Sequence, residues 1–569
     1  MPDGSLSDKP VPLNPHFLTV FVTDISLLLP ANTVWTAIVF LPVAGVVGLA
    51  AFGMILAILV LVVTTQSEQN LGRLDLMLLI LACVLLITDA KVQITLHPGY
   101  GTDEAAFLQG AASLLLHGHD PYGVSMLSAF AKYRVLPQPL TYTMGGGVLS
   151  DFPYPGLAVL IVAGFAWLTD GVQSVVWADI AALTVAMILA FFMLPRQLRA
   201  LSVLLAAGLP FLFAFAEAGT ATVLIIPFLM VTAWRWTEIG SGGRLARFDW
   251  IRALALGLAL SIEQLSWFLF PFVILGIWLS LAQALTRRRA TVVVARFGAI
   301  AVATFLVINA PFVMAGAGSW FSGVLGPITG GTIVNGQGIV DTAIYFHIGG
   351  GDVAAFTAAA TVSYLALLVA FGLWFSRLGR ALFILPVIPF FLSARSLSGY
   401  WTIPLLLWAV SLLTVSQAHF DRQSTPESRP RGRRLVEALF AALLVGTGGL
   451  LALALTTPAP LQMTVTKVYE QGSLSNISRI VLLVQNNSSN TLRPHFTAEA
   501  GGQTTPFWRV TNGASTMRPD SRRIVVIRAP KAESVPASTP FSILAVTVNP
   551  ETVSSSQGAV PSPSLGRSG

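Results

Sequence analysis

Two adjacent carboxylates, Asp103 and Glu104, stand in the most polar stretch of an otherwise apolar chain, residues 97–122 (HPGYGTDEAAFLQGAASLLLHGHDPY). They open a helical pattern in which Glu104, Phe107, Leu108, Ala111 and Leu115 share one face. An acid at such a start can serve simply as an N-cap, with its neighbour favoured by the helix dipole. It can also do chemistry, because a carboxylate held by backbone N–H groups is placed to take a proton from a substrate hydroxyl. Ionised groups at a membrane edge are costly unless they pair, coordinate or react. This pair is therefore the first candidate for a reaction centre.

Other chemistry-bearing residues are spread along the chain. His117 and His119 end the same helix, where histidine ordinarily partners the last carbonyls. A metal site from Asp103, Glu104 and His119 would match no standard ligand spacing, so the metal is unknown. Glu263 and Gln264 lie between two apolar runs, either as a polar connector or as the lining of a pocket. Residues 316–352 are Gly-rich and read as a long loop carrying Trp320, Asn335, Gln337, Asp341, Tyr345 and His347, and loops of that length are often functional. Arg395, followed by Tyr400 and Trp401, is the basic residue placed on the same side as the acidic pair. Its guanidinium either binds a phosphate or snorkels to the interface.

These residues are positioned by a chain that is 54% hydrophobic and only 10% charged, against roughly 25% charged in a soluble domain. It belongs in a bilayer. The formal charge of +7 sits in short connectors at Arg196/Arg199, Arg244/Arg247, Arg287 to Arg289, Arg377/Arg380 and Arg429 to Arg434. That is the positive-inside signature and not a nucleic-acid footprint. Lone Cys83 allows no disulfide within the chain. The Pro-rich start lacks the features of a cleaved signal peptide, so insertion through the chain's own spans is expected.

Apolar runs at 36–64, 74–96, 154–168, 175–194, 200–215, 221–236, 251–261, 267–285, 292–314, 353–375, 381–393, 400–414 and 435–456 give about 11–13 transmembrane helices. Residues 1–35 read as a partly interfacial segment interrupted by Asp24. If every run crosses, the alternating basic connectors put Asp103 on their own side; one run, with 154–168 or 200–215 the leading choices, must then fall short. Residues 458–550 alternate β-branched residues between Asn, Gly and Pro breakers and read as a small all-β, sandwich-like domain. Residues 551–569 read as a disordered tail.

GTDEAAFLQGAASLLLHGHDPYG resembles the first outer loop of the GT-C membrane glycosyltransferases, through the acidic pair after an opening span, the LLLHG helix end and the DPY ending at Asp120 to Tyr122. The resemblance continues through FPYPGL (152–157), APF and GSW (310–320) and LSGYWTIPLLL (397–407), so it loosely covers the chain to about Thr414. It implies a polytopic GT-C-like module at 36–457 with a catalytic outer loop at 97–152, a sugar donor carried on polyprenyl phosphate, and Asp103 as general base. Glu104 either supports it or points elsewhere on the helix, since adjacent helical residues do not share a face. The lysine that the resemblance leads one to expect near Glu263 is absent.

The combined expectation is an inverting transferase that moves a mannosyl or similar sugar to a cell-envelope glycan or glycolipid, in the plasma (inner) membrane, with the reaction centre and β domain outside. Candidate substrate-binding residues are His119, Asp120, Tyr122, Glu263, Gln264, Trp320, His347, Arg395 and Tyr400. Trp320 and Tyr345 can stack on a sugar or anchor at the interface. No cofactor is expected with certainty, and a divalent cation is left open. The rival reading is a transporter or flippase of a lipid-linked sugar, in which ionisable groups would stand near the midplane and not at an edge. A third is a noncatalytic assembly protein whose tail does the binding.

Overall fold

The structure, a computed structural model, describes residues 14–65, 67–135, 140–171, 173–416, 419–420, 432–471, 476–500, 503–513, 515–530, 535–536 and 540–556. It is a mostly helical bundle followed by a β region. Among the described residues seven helices are long and apolar enough to cross a membrane, or nine if two bent pairs each count as one span. Gly156–Leu168, Ala221–Ala233, Leu265–Leu281 and Gly399–Thr414 are shorter apolar helices.

Hydrogen bonds sort the connectors into two ends. Arg289 donates to the Gly243 carbonyl, Arg380 to the Leu412 carbonyl, and the Arg235 N–H to Thr414 Oγ1, which gathers basic connectors of the second half at one end. At the other end the Leu157 N–H reaches the Ser261 carbonyl, the Gly156 N–H reaches Asn309 Oδ1, and Gln264 Nε2 reaches the carbonyls of Pro153 and Val324. Asp103 belongs to this second end. The Gly156–Leu168 helix has both termini there, since Thr169 bonds Ser174 while Gln109 bonds the Gly171 carbonyl and, at its oxygen, the Ser174 N–H. Its 13 residues reach roughly 20 Å at about 1.5 Å per residue, short of a hydrocarbon core of about 30 Å.

Two expectations are corrected. The N-terminal segment is not merely interfacial by length, because Pro15–Val39 forms a 25-residue apolar stretch long enough to cross. Asp24 does not break it: the side chain is fully buried inside the helix, which continues through Leu27 in αR conformation. Residues 316–352 are not a structureless loop, since the Arg287–Thr329 helix bends at Gly316 and continues, and Ile339–Tyr345 is helical. The glycines there serve close packing: a Cβ on Gly323 would stand 2.5 Å from the Phe152 carbonyl oxygen. Further ionisable groups, His16, Asp75, Asp89 and Asp179, are buried within helices. His16 meets Asp75 at 2.8 Å and Glu68 at 2.7 Å.

The β region comprises β3 (Leu461–Gln471), β4 (Asn476–Asn486), β5 (His495–Ala500), β6 (Gln503–Thr504), β7 (Arg509–Asn512), β8 (Arg522–Arg528), β9 (Phe541–Thr547) and β10 (Thr552–Ser555); β1 (Asn335–Gly336) and β2 (Arg395–Ser396) pair in parallel within the bundle. Two four-stranded sheets, ordered β3-β4-β8-β7 and β10-β9-β5-β6, share one apolar core that includes Met463, Leu482, Phe496, Trp508, Ile527 and Ile543. The tail expected to be disordered from 551 instead pairs as β10 with β9, its Thr and Val favouring a strand. Residues 557–569 lie outside the described residues. A separate apolar cluster containing Tyr142, Ile333, Val340, Phe356, Leu544 and Val553 joins this sheet to the bundle.

Candidate functional site

Thr102, not Asp103, caps the Asp103–Leu116 helix, its Oγ1 accepting from the Ala105 N–H at 3.2 Å. The N-cap role weighed for Asp103 is therefore filled by its neighbour. Asp103 is 5% exposed, and its Oδ2 accepts a 2.7 Å bond from the backbone N–H of Thr141. Arg395 Nη1 donates to Thr141 Oγ1 at 3.1 Å, so one threonine links the carboxylate to the guanidinium. β2 fixes the arginine, with Arg395 opposite Asn335 in register. Its Nε is buried without a hydrogen-bond partner, and no carboxylate among the described residues lies within ion-pair distance.

Glu104 points elsewhere, as adjacent helical residues must. Its Oε2 accepts from the Ala221 N–H at 3.2 Å, and the Tyr154 side chain stands beside it. Glu263 Oε2 accepts from the Leu265 N–H at 2.9 Å and so stabilises the start of the Leu265–Leu281 helix. Asp103, Glu104, Tyr154, Glu263, Arg395 and Tyr400 are close enough to bias one another's charge.

Three carboxyls around a single guanidinium, Asp103 and Glu263 buried and Glu104 half-buried, cannot all be ionised at neutral pH, since burial penalises each charge. Burial raises Glu263 to about 8, with the Glu104 charge adding to it. Burial raises Glu104 to about 7, with the Asp103 charge next in importance. Asp103 is also raised by burial, but Arg395 and the Thr141 donors pull in the opposite direction. Of the adjacent pair, Asp103 is the better holder of negative charge and Glu104 of a proton. The two titrate as a coupled pair.

A cavity of about 330 Å³ opens beside this cluster. Arg395, Glu263, Gln264 and Tyr400 line its polar part, while Phe268, Ala360, Tyr364, Pro386 and Phe390 form an apolar arm between helices. Asp103 does not line it and lies behind Arg395, reached through Thr141.

Five expected site residues thus converge: Asp103, Glu104, Glu263, Arg395 and Tyr400. Gln264 lines the cavity, but its amide nitrogen is spent on two backbone carbonyls. Others are displaced. His119 is exposed beyond the far end of the 14-residue helix that Asp103 begins, which rules out a shared metal site. Among the described residues no group of three or more His, Cys, Asp or Glu is arranged to hold a metal ion. Asp120 Oδ1 accepts from the Tyr122 N–H, and Tyr122 donates from its hydroxyl to the Tyr154 carbonyl at 2.7 Å. Tyr122 and Trp320 are buried among Phe152, Phe305 and Phe312, so they brace Tyr154 from behind and are not open to a ligand. His347 bonds Ser555 of β10 and lines a separate cavity of about 280 Å³ at the β region.

Thr141 and Tyr154 were missed as site residues. Tyr154 lies inside the FPYPGL stretch that carries part of the resemblance, whereas Thr141 offered only its place between a Pro-rich segment and three glycines. No family model, no curated protein and no solved structure matches this chain.

Proposed function

We propose that this chain is a membrane glycosyltransferase of the GT-C kind, drawing a sugar from a polyprenyl phosphate donor and passing it to a hydroxyl of an envelope glycan or glycolipid. The observation that carries this reading is the position of Arg395. Its guanidinium stands where a cavity with an apolar, interhelical arm meets a cluster of buried carboxyls. A lipid chain suits the arm, and its phosphate suits a guanidinium with an unpaired Nε.

In this reaction the acceptor oxygen forms a bond to C1 while the bond from C1 to the phosphate oxygen breaks. The phosphate leaves with the electron pair, stabilised by Arg395, and the acceptor proton goes to Asp103, which an acceptor must reach past Arg395 and Thr141 because the carboxylate does not line the cavity. Attack opposite the leaving group inverts C1. Glu104, raised to about 7 chiefly by burial, carries less negative charge against the phosphate than an exposed glutamate would. The acidic end is assigned to the outer face because the basic connectors mark the cytoplasmic one.

The deciding experiment is transfer of radiolabelled mannose from mannosyl polyprenyl phosphate to an alkyl mannoside by purified protein. Asp103→Asn keeps the acceptor for the Thr141 N–H and removes the base, so turnover should fall by about 10²–10⁴ with the fold intact. Equal turnover would dismiss the proposed role. A second reading, translocation of a lipid-linked sugar, draws on the buried Asp89, Asp179 and His16 within helices. It predicts movement of the intact donor across a proteoliposome with no cleavage of the sugar bond.

A further inference from the structure

The cavity that holds Arg395 is not built by the helical bundle alone. Glu551, in the turn between β9 and β10, lines it as well. The backbone around Glu551 is bound to the bundle: its carbonyl accepts from the Val353 N–H at 3.0 Å, Thr552 bridges to Asp352, and the Val553 N–H donates to the Gly351 carbonyl at 2.9 Å. These bonds involve main-chain atoms only, so they hold residue 551 at the cavity whatever its side chain. The carboxylate passes over Gly331, where a Cβ would approach Glu551 Oε1 to 3.3 Å. Gly331 leaves room for it.

The side chain has no structural duty there. Among the described residues none of the hydrogen bonds and none of the ion pairs involves the Glu551 carboxylate. An ionised carboxylate is an acceptor only, with two oxygens that suit sugar hydroxyls and repel phosphate. Arg395 lines the same cavity with the opposite preference, since it donates only and attracts phosphate. The two together define a direction.

We propose that the β domain completes the binding site, with Glu551 accepting hydrogen bonds from hydroxyls of the sugar on a lipid phosphate while Arg395 holds the phosphate. This rests on the reading of the cavity given above. It makes Glu551 a specificity residue that distinguishes a glycosylated carrier from the bare one.

The test is equilibrium binding of two tritiated probes, mannosyl polyprenyl phosphate and polyprenyl phosphate without sugar, to the full chain in nanodiscs. Wild type should prefer the glycosylated probe. Glu551→Gln and Glu551→Ala should lose about tenfold or more of that preference, the range of a hydrogen bond to a charged group. Their affinity for the bare probe should stay level or rise, since a like charge has gone. A merely structural role would weaken both probes together and lower the melting temperature. That result, or wild-type preference in both variants, overturns the role of Glu551 alone. If wild type binds neither probe, the reading of the cavity falls and this inference with it.

Discussion

Replacing Glu263 with glutamine should make the protein less sensitive to alkaline pH. Glu263 is buried, and its carboxyl is raised from 4.5 to about 8, chiefly by burial and further by the charge of Glu104. A folded-state value above the unfolded one means that the native state holds the proton more tightly. The associated stability is fully present below about pH 4.5 and is lost as pH rises to about 8. A difference of about 3.5 pH units corresponds to roughly 5 kcal/mol, an upper figure because neighbouring groups relax when one ionises. Glutamine matches the shape and keeps an acceptor for the Leu265 N–H, which Glu263 Oε2 binds at 2.9 Å. Thermal unfolding in detergent should therefore give matching midpoints for wild type and Glu263→Gln at pH 4.5, with the variant higher by several degrees at pH 8.5. An offset that stays constant across that range would refute the reasoning, because it would mean that the carboxyl does not change protonation there.

Thr141→Val removes the oxygen to which Arg395 donates but leaves the backbone N–H on Asp103. With the link to the guanidinium loosened, Asp103 should become easier to protonate, and the acidic limb of the pH–rate profile for sugar transfer should move to higher pH. Gly156→Ala would put a Cβ 2.4 Å from the Phe312 ring at the start of the helix that follows Tyr154. Overpacking of this kind costs about 1–3 kcal/mol, so the variant should melt lower than wild type while Gly164→Ala, where nothing lies within 4 Å, should not.

What the sequence discloses about the site follows from the price of burying polar groups in an apolar chain. Asp103, Glu104, Glu263 and Arg395 are conspicuous because each interrupts or borders an apolar run, and the structure brings them into one neighbourhood. Thr141 and Tyr154 carry no such signal, for a threonine in a loop and a tyrosine beside prolines are ordinary. Their roles arise only when residues 38 and 254 positions away are folded against Thr141. The opposite error occurs at Tyr122 and Trp320, whose types suit sugar binding but whose burial among aromatic rings makes them a brace. Composition misleads at Asp24, where a charge-bearing residue suggests a helix break and the backbone continues regardless.

The arrangement also explains why a lone arginine suffices. With Glu104 and Glu263 raised to about 7 and about 8, fewer ionised carboxyls oppose Arg395 at neutral pH than the number of acids around it. A mobile lysine could collapse onto Asp103 and cancel it. Arg395 cannot do so, because β1 holds its backbone and Thr141 Oγ1 holds one nitrogen. The cation and the base are kept apart by the threonine that binds both, so the guanidinium retains capacity for a substrate group. Such preorganisation lets a charge act on a transition state without first rearranging its surroundings. Bringing an arginine and an aspartate into direct contact would give a tighter pair and a poorer catalyst.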